Sequence, residues 1–172
     1  MDADALRNLQ APLKARYADE PDAATITLRA TGSIDESKIA CKVATGRAIA
    51  EAGLHPLTGG SGAELCSGDM LLEALVACAG VTLKAVSTAL ELPLAGATVK
   101  AEGDLDVRGT LGVDKAAPVG LTNIRLLFEV DTDAPQDKLD LLLKLTERYC
   151  VVLQTLRGGS APEARIVRAS AV

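Results

Sequence analysis

The sequence predicts an α+β fold in which antiparallel sheets wrap around one long central helix. Segments with strand-like alternation occur in pairs on either side of a long segment rich in Leu and Ala. They are not interleaved one by one with helices, as a parallel β-α-β sheet would require. The chain has 172 residues, which is the usual size of one domain. We therefore expect a single domain over residues 1–172.

The N-terminal part of the chain is predicted to hold a strap and two strands. Residues 1–22 mix Leu, Lys, Arg and Asp without a sustained period, which indicates a short helix or strap before the domain proper. Residues 24–30 and 38–43 alternate apolar and polar side chains, which predicts a hairpin of two strands joined through a turn at Thr31–Ser33. Cys41 shares the apolar face of the second strand, so we expect it in the core.

The central helix follows a loop. Five glycines and one proline between Gly53 and Gly68 disfavour any regular element there. The segment from Asp69 to Glu91 is then apolar on nearly every face of its middle, which predicts a helix surrounded by protein. Ser67 is the expected N-cap, and Asp69 lies in the first turn, where an acid faces the exposed amides. Charged residues interrupt the apolar segment, so we do not expect it to span a membrane.

The C-terminal part is predicted to hold two strands, a helix and a last strand. Residues 97–108 and 119–131 read as a second antiparallel pair separated by a glycine-containing loop. Residues 135–156 form a helix that begins near a proline and is closed by Gly158 and Gly159. Residues 164–169 form the last strand.

Composition excludes several classes of function. Aromatic residues make up 2% of the chain, and 18 basic residues face 23 acidic ones. A protein with few rings and a net charge of −5 is a poor partner for nucleic acid or for an anionic membrane surface. One histidine and four widely spaced cysteines fit no metal-binding module, so we expect no metal. The glycines at 59–62 lack the Lys-Ser/Thr of a phosphate loop, and we expect no cofactor.

The start of the sequence indicates a cytoplasmic protein. Acids stand near Met1, where a secretory signal needs basic residues followed by an apolar run. In a reducing compartment the four cysteines are expected to be mainly free thiols.

Two cysteines fall on predicted helices. Cys78 lies in V-A-C-A-G and Cys150 in E-R-Y-C-V-V. Taken by itself, a helical cysteine is more often a small core residue than a reactive one. A glycine inside a helix lowers the stability of the helix by about 1 kcal/mol relative to Ala. Gly80 therefore indicates a close approach by another part of the protein or by a ligand.

Together, the contexts of these two cysteines carry a resemblance to a known family. The stretch G-G-S-G-A-E-L-C-S-G-D-M-L-L-E-A-L-V-A-C-A-G-V-T-L at 59–83, followed by T-E-R-Y-C-V-V-L-Q-T-L at 146–156, resembles the OsmC/Ohr family of thiol peroxidases. The similarity spans residues 24–170. It implies an intertwined homodimer with its active sites near the subunit interface. It also implies reduction of an organic hydroperoxide through a sulfenic acid at Cys78, resolved by Cys150 and recycled by a dithiol reductant.

Thiolate activation is where the sequence departs from the family. Gly68 stands where the family places a glutamate ten residues before its first cysteine, and Asp69 is displaced from that position by one residue. No arginine aligns at residues 54–57, where the OsmC branch places one. Arg47, Arg148 or an arginine of a second chain are the candidates to replace it, because a nearby guanidinium lowers a thiol pKa.

Two further residues have a functional and a structural interpretation. His55 is a base or hydrogen-bond partner for a thiol, or it only caps or packs in its loop, which is the commoner role. Cys66 precedes the central helix, where exposed amides favour a thiolate, and is a rival nucleophile.

The departures also motivate an alternative function. In it, the chain is a redox-inert dimer of the same fold that binds a small apolar ligand at the subunit interface and uses its cysteines for packing. A weaker third alternative is a structural or regulatory dimer without a ligand.

Overall fold

The computed structural model describes residues 2–19, 31–34, 40–44, 49–159 and 161–166. The predicted strand at 24–30 and the candidate residue Arg47 lie outside these residues. In chain order the elements are α1 (Ala3–Asp19), β1 (Thr31–Ile34), β2 (Ala40–Ala44), β3 (Ile49–Gly53), β4 (Leu65–Cys66), α2 (Ser67–Ala89), β5 (Gly96–Asp104), α3 (Val107–Thr110), β6 (Thr122–Asp131), α4 (Gln136–Tyr149) and α5 (Val151–Gly158).

The first sheet has the strand order β1-β2-β3-β4. β2 pairs antiparallel with β1 and with β3, whereas β3 and β4 run parallel. The predicted turn at Thr31–Ser33 is wrong, because these residues belong to β1 and Thr31 lies opposite Ala44. Pairing with a distant strand overrides the local turn preference of Gly and Ser there. The sequence I-A-E-A-G of β3 has no strand-like alternation of its own, so it did not predict a strand. Pairing with β2 makes it one. Cys41 lies on β2, and its side chain falls outside the described part.

The loop before the central helix is ordered by its own glycines and histidine. A short 3-10 turn at Pro56–Thr58 is followed by Gly59, whose φ of 93° favours glycine. A Cβ at Gly60 would lie 1.6 Å from the carbonyl oxygen of Leu54, so only glycine fits this close return of the chain. The region is a structured loop that ends in the two residues of β4.

The central helix α2 spans 23 residues and packs against α4, α5 and β5. It begins two residues earlier than predicted. Cys66 takes the N-cap position, so the assignment of that role to Ser67 is wrong, whereas Asp69 does lie in the first turn. By length and composition alone, α2 would be long and apolar enough to cross a membrane; its packing is that of a core helix.

The second sheet is the antiparallel pair β5–β6, with Ala101 opposite Leu126. One face of the pair is apolar and packs towards α2, and the other carries ion pairs such as Lys100–Glu129 at 2.6 Å. Both strands are shorter than predicted. The chain leaves β5 at Asp104 and forms the short helix α3, whose N-cap Asp106 accepts a hydrogen bond from the amide of Arg108.

The predicted helix 135–156 is in fact two helices. Cys150 has extended backbone angles, φ −73° and ψ 106°, and it ends α4 and precedes α5. The predicted stop is confirmed, because α5 ends at Gly158 and Gly159 has a φ of 60°. Residues 164–166 are not a strand, and 167–169 lie outside the described residues. Cys150 thus lies at the junction of α4 and α5 and not within a continuous helix.

Candidate active site

The two cysteines singled out by the sequence meet where α2 passes the junction of α4 and α5. Cys78 is half-buried on α2, and Cys150 is 0% exposed. Cys150 belongs to a core cluster with Leu75, Ala79 and Leu153, and Cys78 packs against that cluster. Folding therefore brings together two sulfur atoms that are 72 residues apart in the sequence.

The break at Cys150 aims backbone amides at the sulfur of Cys78. Because α5 starts afresh at Val151, its first amides have no carbonyl one turn earlier in their own helix. Hydrogen bonding by the amides of Val152 and Val151 lowers the pKa of the Cys78 thiol. A continuous helix would have turned these amides towards its own carbonyls, so the break creates an anion-stabilising position.

Burial and hydrogen bonding act in opposite directions on Cys78. Burial raises the pKa of the Cys78 thiol, but hydrogen bonds from the Val152 amide, the Cys150 thiol and the Val151 amide outweigh it and lower the pKa below its ordinary value. The thiolate is therefore stabilised without a cationic side chain among the described residues that contact it.

Cys150 has the opposite balance. Burial raises the pKa of the Cys150 thiol, and the amides of Leu153 and Val152 only partly oppose this. The hydrogen bond to Cys78 and the negative charge of that sulfur raise the pKa of Cys150 further. The pair therefore titrates as a unit, with Cys78 as thiolate and Cys150 as its hydrogen-bond donor.

Two threonines flank the pair. The Thr82 hydroxyl donates to the carbonyl oxygen of Cys78 at 2.8 Å. Thr146 is 0% exposed one turn before Cys150, and its carbonyl accepts from the Cys150 amide at 3.0 Å. Its hydroxyl has no hydrogen-bond partner in the described part of the chain. The rest of the surroundings is aliphatic or aromatic: Val99, Ala101, Ile124, Leu126, Phe128, Val152 and Leu156.

The other predicted site residues are not at this junction. His55 and Asp69 line a separate cavity of about 160 Å³ together with Cys66. Arg148 is exposed, with its guanidinium 5.7 Å from the centre of the Tyr149 ring. Nine residues of α2 separate Asp69 from Cys78, which is roughly 13 Å of helix. Arg47 stays an untested prediction.

The second cavity lies at the start of α2. Nδ1 of His55 accepts a hydrogen bond from the amide of Leu57 at 3.1 Å, so the neutral ring carries its proton on Nε2. Cys66 makes no capping hydrogen bond to the amides of α2 that the structure describes. His55 therefore caps the turn in its own loop, and a role towards a thiol stays a prediction.

Sequence reasoning missed the amides of Val151 and Val152, which lower the pKa of Cys78, and the hydroxyl of Thr82, which donates to the Cys78 carbonyl oxygen. These amides cannot be recognised from the sequence, because every residue except proline has a backbone N–H. Thr82 stands four residues after Cys78, a spacing that places both on one helix face and was available from the sequence.

The fold and the site define the general class of the protein: an α+β protein with a long central helix and two cysteines packed together beside it. Comparison with known proteins gives the family. The model of the OsmC-like protein family matches residues 60–164, which include both cysteines. No curated protein matches the sequence. Because the family model covers more than half of the chain, this protein belongs to the OsmC-like family.

Solved structures share the fold at low sequence identity. An OsmC-like protein from Mycoplasma pneumoniae superposes with a TM-score of 0.64 at 17% identity, over 78% of this chain and 90% of the other. An organic hydroperoxide resistance protein from Elizabethkingia anophelis gives 0.62 at 17% identity, over 79% and 91%. The organic hydroperoxide resistance protein OhrB of Bacillus subtilis gives 0.56 at 14% identity, over 78% and 93%.

Proposed function

We propose that this protein is a thiol peroxidase that reduces organic hydroperoxides, with Cys78 as the peroxidatic and Cys150 as the resolving cysteine. The observation that carries the proposal is the packing of Cys78 against the core cluster that contains Cys150, at the start of α5. Two of the structural neighbours bear the name organic hydroperoxide resistance protein, which supports the same activity.

Burial assigns the two roles. Cys78 is half-buried and open to a reagent, whereas Cys150 is 0% exposed. The thiolate is the nucleophilic form of cysteine, and the pKa of Cys78 lies below its ordinary value. The accessible sulfur is thus also the activated one, and Cys150 is already in contact with it when the sulfenic acid forms.

The reaction then has three steps. The Cys78 thiolate attacks one oxygen of the O–O bond, which leaves a sulfenic acid and an alkoxide, and the alkoxide takes up a proton to become the alcohol. The Cys150 sulfur attacks the sulfenic sulfur, forming a disulfide and releasing water. An external dithiol attacks the exposed Cys78 sulfur and restores both thiols, because Cys150 is out of its reach.

The surroundings of the pair favour an organic substrate. Apart from Cys150, the cluster around Cys78 consists of apolar side chains of α2, β5, β6 and α5. Burying an alkyl group against such a surface is favourable by about 25 cal/mol per Å². Hydrogen peroxide has no alkyl group and gains none of this.

We include the homodimer in the proposal because α2 is incompletely covered. Only five of its 23 residues are buried, although its sequence is apolar on almost every face. Leu71 and Val81 on its open side are 40% and 73% exposed, and Ala74 and Ala77 lie exposed between them. A second copy packed on this side would also border Cys78.

The same chemistry supports a cytoplasmic location. Cys66, Cys78 and Cys150 are free thiols. The reducing cytoplasm keeps thiols in this state and supplies the dithiol that the cycle consumes.

Intact mass spectrometry tests the proposal. One equivalent of cumene hydroperoxide should remove two hydrogens from the protein and give a peptide in which Cys78 and Cys150 are linked. Cys66→Ser serves as the matched control and should behave like the wild type. If Cys78 and Cys150 both stay titratable, the chain is redox-inert, and a bound apolar ligand seen by native mass spectrometry would then favour the alternative function.

A further inference from the structure

In the first step of the proposed cycle, the one proton of the peroxide sits on the oxygen that bonds to sulfur, and the departing oxygen carries none. Attack by a thiolate on ROOH gives a sulfenic acid and an alkoxide, RO⁻. An alkoxide is a strong base and a poor leaving group in an apolar cluster, so a nearby acid is required to protonate it as the O–O bond breaks. The question is which group near Cys78 can do so.

Few groups are placed to donate this proton. Within the described residues, the groups that stabilise the Cys78 thiolate by hydrogen bonding are the amides of Val151 and Val152 and the thiol of Cys150, and Thr82 lies beside them with its hydroxyl proton donated to the carbonyl oxygen of Cys78. Amides and an aliphatic hydroxyl keep their protons at neutral pH. A thiol is by far the strongest acid of the four.

Charged side chains on the packed elements point elsewhere. Asp69, Glu73 and Lys84 of α2 are exposed, and so are Lys100, Glu102, Asp104, Arg125 and Glu129 on the outer face of β5 and β6. On α4 and α5, Glu147 pairs with Arg157 at 2.7 Å, and Arg148 stacks on Tyr149. Among the described residues, Cys150 is therefore the one acid beside the reacting sulfur.

Resting on the proposed function, we propose that Cys150 acts twice, first as the general acid that protonates the departing alkoxide and then as the resolving thiolate. Cys78 packs against the core cluster that contains Cys150, and the Cys150 thiol, which is 0% exposed, faces this sulfur and not bulk water. The group that holds the pair's single proton is also the group that must lose it before the second step.

The two steps then balance without another acid at the site. Cys78–S⁻ and ROOH give Cys78–SOH and RO⁻, and the Cys150 proton converts RO⁻ to ROH. The Cys150–S⁻ so formed attacks the sulfenic sulfur, forms the disulfide and expels hydroxide, which takes a proton from solvent to become water. The protein loses two electrons, which reduce the O–O bond.

Single-turnover kinetics of Cys150→Ser and Cys150→Ala test the inference. The rate of Cys78 oxidation by cumene hydroperoxide is compared with its alkylation by iodoacetamide, which needs the same thiolate but releases iodide and needs no proton. We expect both variants to lose about 100-fold more in the peroxide reaction than in alkylation, the order of a general-acid contribution. Serine keeps a hydrogen-bond donor but is too weak an acid to replace the thiol.

Peracetic acid provides the control for folding and access. Its leaving group is a carboxylate, which is stable without a proton at neutral pH. The variants should therefore be oxidised by peracetic acid at nearly the wild-type rate relative to alkylation. An equal loss with both oxidants, or no loss beyond that of alkylation, overturns the inference. The proposed function survives either result as long as wild-type Cys78 is oxidised by the hydroperoxide.

Discussion

Cys66, at the N-cap of α2, and Cys78, in the middle of that helix, are 12 residues apart and have contrasting surroundings. Cys66 occupies the N-cap position of α2 but makes no capping hydrogen bond among the described residues. Asp69 lines the same cavity as Cys66. Cys78 lies mid-helix, yet it receives the amides of another helix and the thiol of Cys150. The cysteine at the N-terminus of its own helix is thus the less supported one. Activation of a thiol depends on which hydrogen-bond donors stabilise its thiolate. For Cys78, the amide donors lie at the start of α5, where Cys150 separates this helix from α4.

The largest expected effect comes from removing the thiol of Cys78, with removal of the Cys66 thiol as the comparison. Cys78→Ser should lower hydroperoxide consumption in the presence of a dithiol by at least about a thousandfold, because the nucleophile is lost. Cys66→Ser should stay within about twofold of the wild type. Peroxide consumption at saturating reductant measures both. Loss of activity in Cys66→Ser instead would place the reactive centre in the other cavity.

The pH dependence of alkylation reports the activation of Cys78 directly. Because the pKa of Cys78 is lowered, its thiolate persists to lower pH, and its iodoacetamide rate should reach half its plateau below the ordinary thiol value of about 8.5. The same cysteine in the urea-unfolded chain is the reference and should show the ordinary midpoint. Peptide-resolved mass spectrometry follows Cys78 separately. A folded midpoint at or above the unfolded one contradicts the site geometry.

Val151→Pro removes one of the amide donors with little change elsewhere. Proline is well tolerated at the first position of a helix, and Cys150 already has the extended backbone that proline requires before it. A hydrogen bond to a charged group contributes about 1.5–3 kcal/mol, so we expect Cys78 alkylation at pH 6 to slow roughly tenfold. Val151→Ala keeps the amide and should leave the rate unchanged. If both variants alkylate equally fast, the amide of Val151 does not stabilise the thiolate.

The smallest effect is expected in the cavity at the start of α2. His55→Ala removes the acceptor of the Leu57 amide and should cost about 1 kcal/mol of unfolding free energy. Cys78 oxidation should change by less than twofold, because His55 lies in the other cavity. Urea unfolding and single-turnover oxidation measure the two quantities. A tenfold loss of oxidation rate at unchanged stability would return His55 to the active site.

Local patterns predicted the elements whose sequences carry their own period. α2, the β5–β6 pair and the stop at Gly158–Gly159 were all available from apolar spacing and glycine placement. The pairing of Cys78 with Cys150 came from the resemblance of their two contexts. β1 and β3 were misjudged because their partners, not their own side chains, make them strands. The candidate activators were sought among arginine, histidine and acids, although the structure supplies backbone amides.

The sequence by itself determined that two cysteines lie on apolar segments of an aliphatic α+β chain, since apolar period and glycine position are local properties. Only the tertiary structure decided how those cysteines differ. The extended backbone at Cys150 ends one helix and starts another, which leaves amides free to face Cys78. Burial then seals one sulfur and leaves the other open. Hydrogen-bond direction and solvent access depend on neighbours far apart along the chain, so folding alone could settle them.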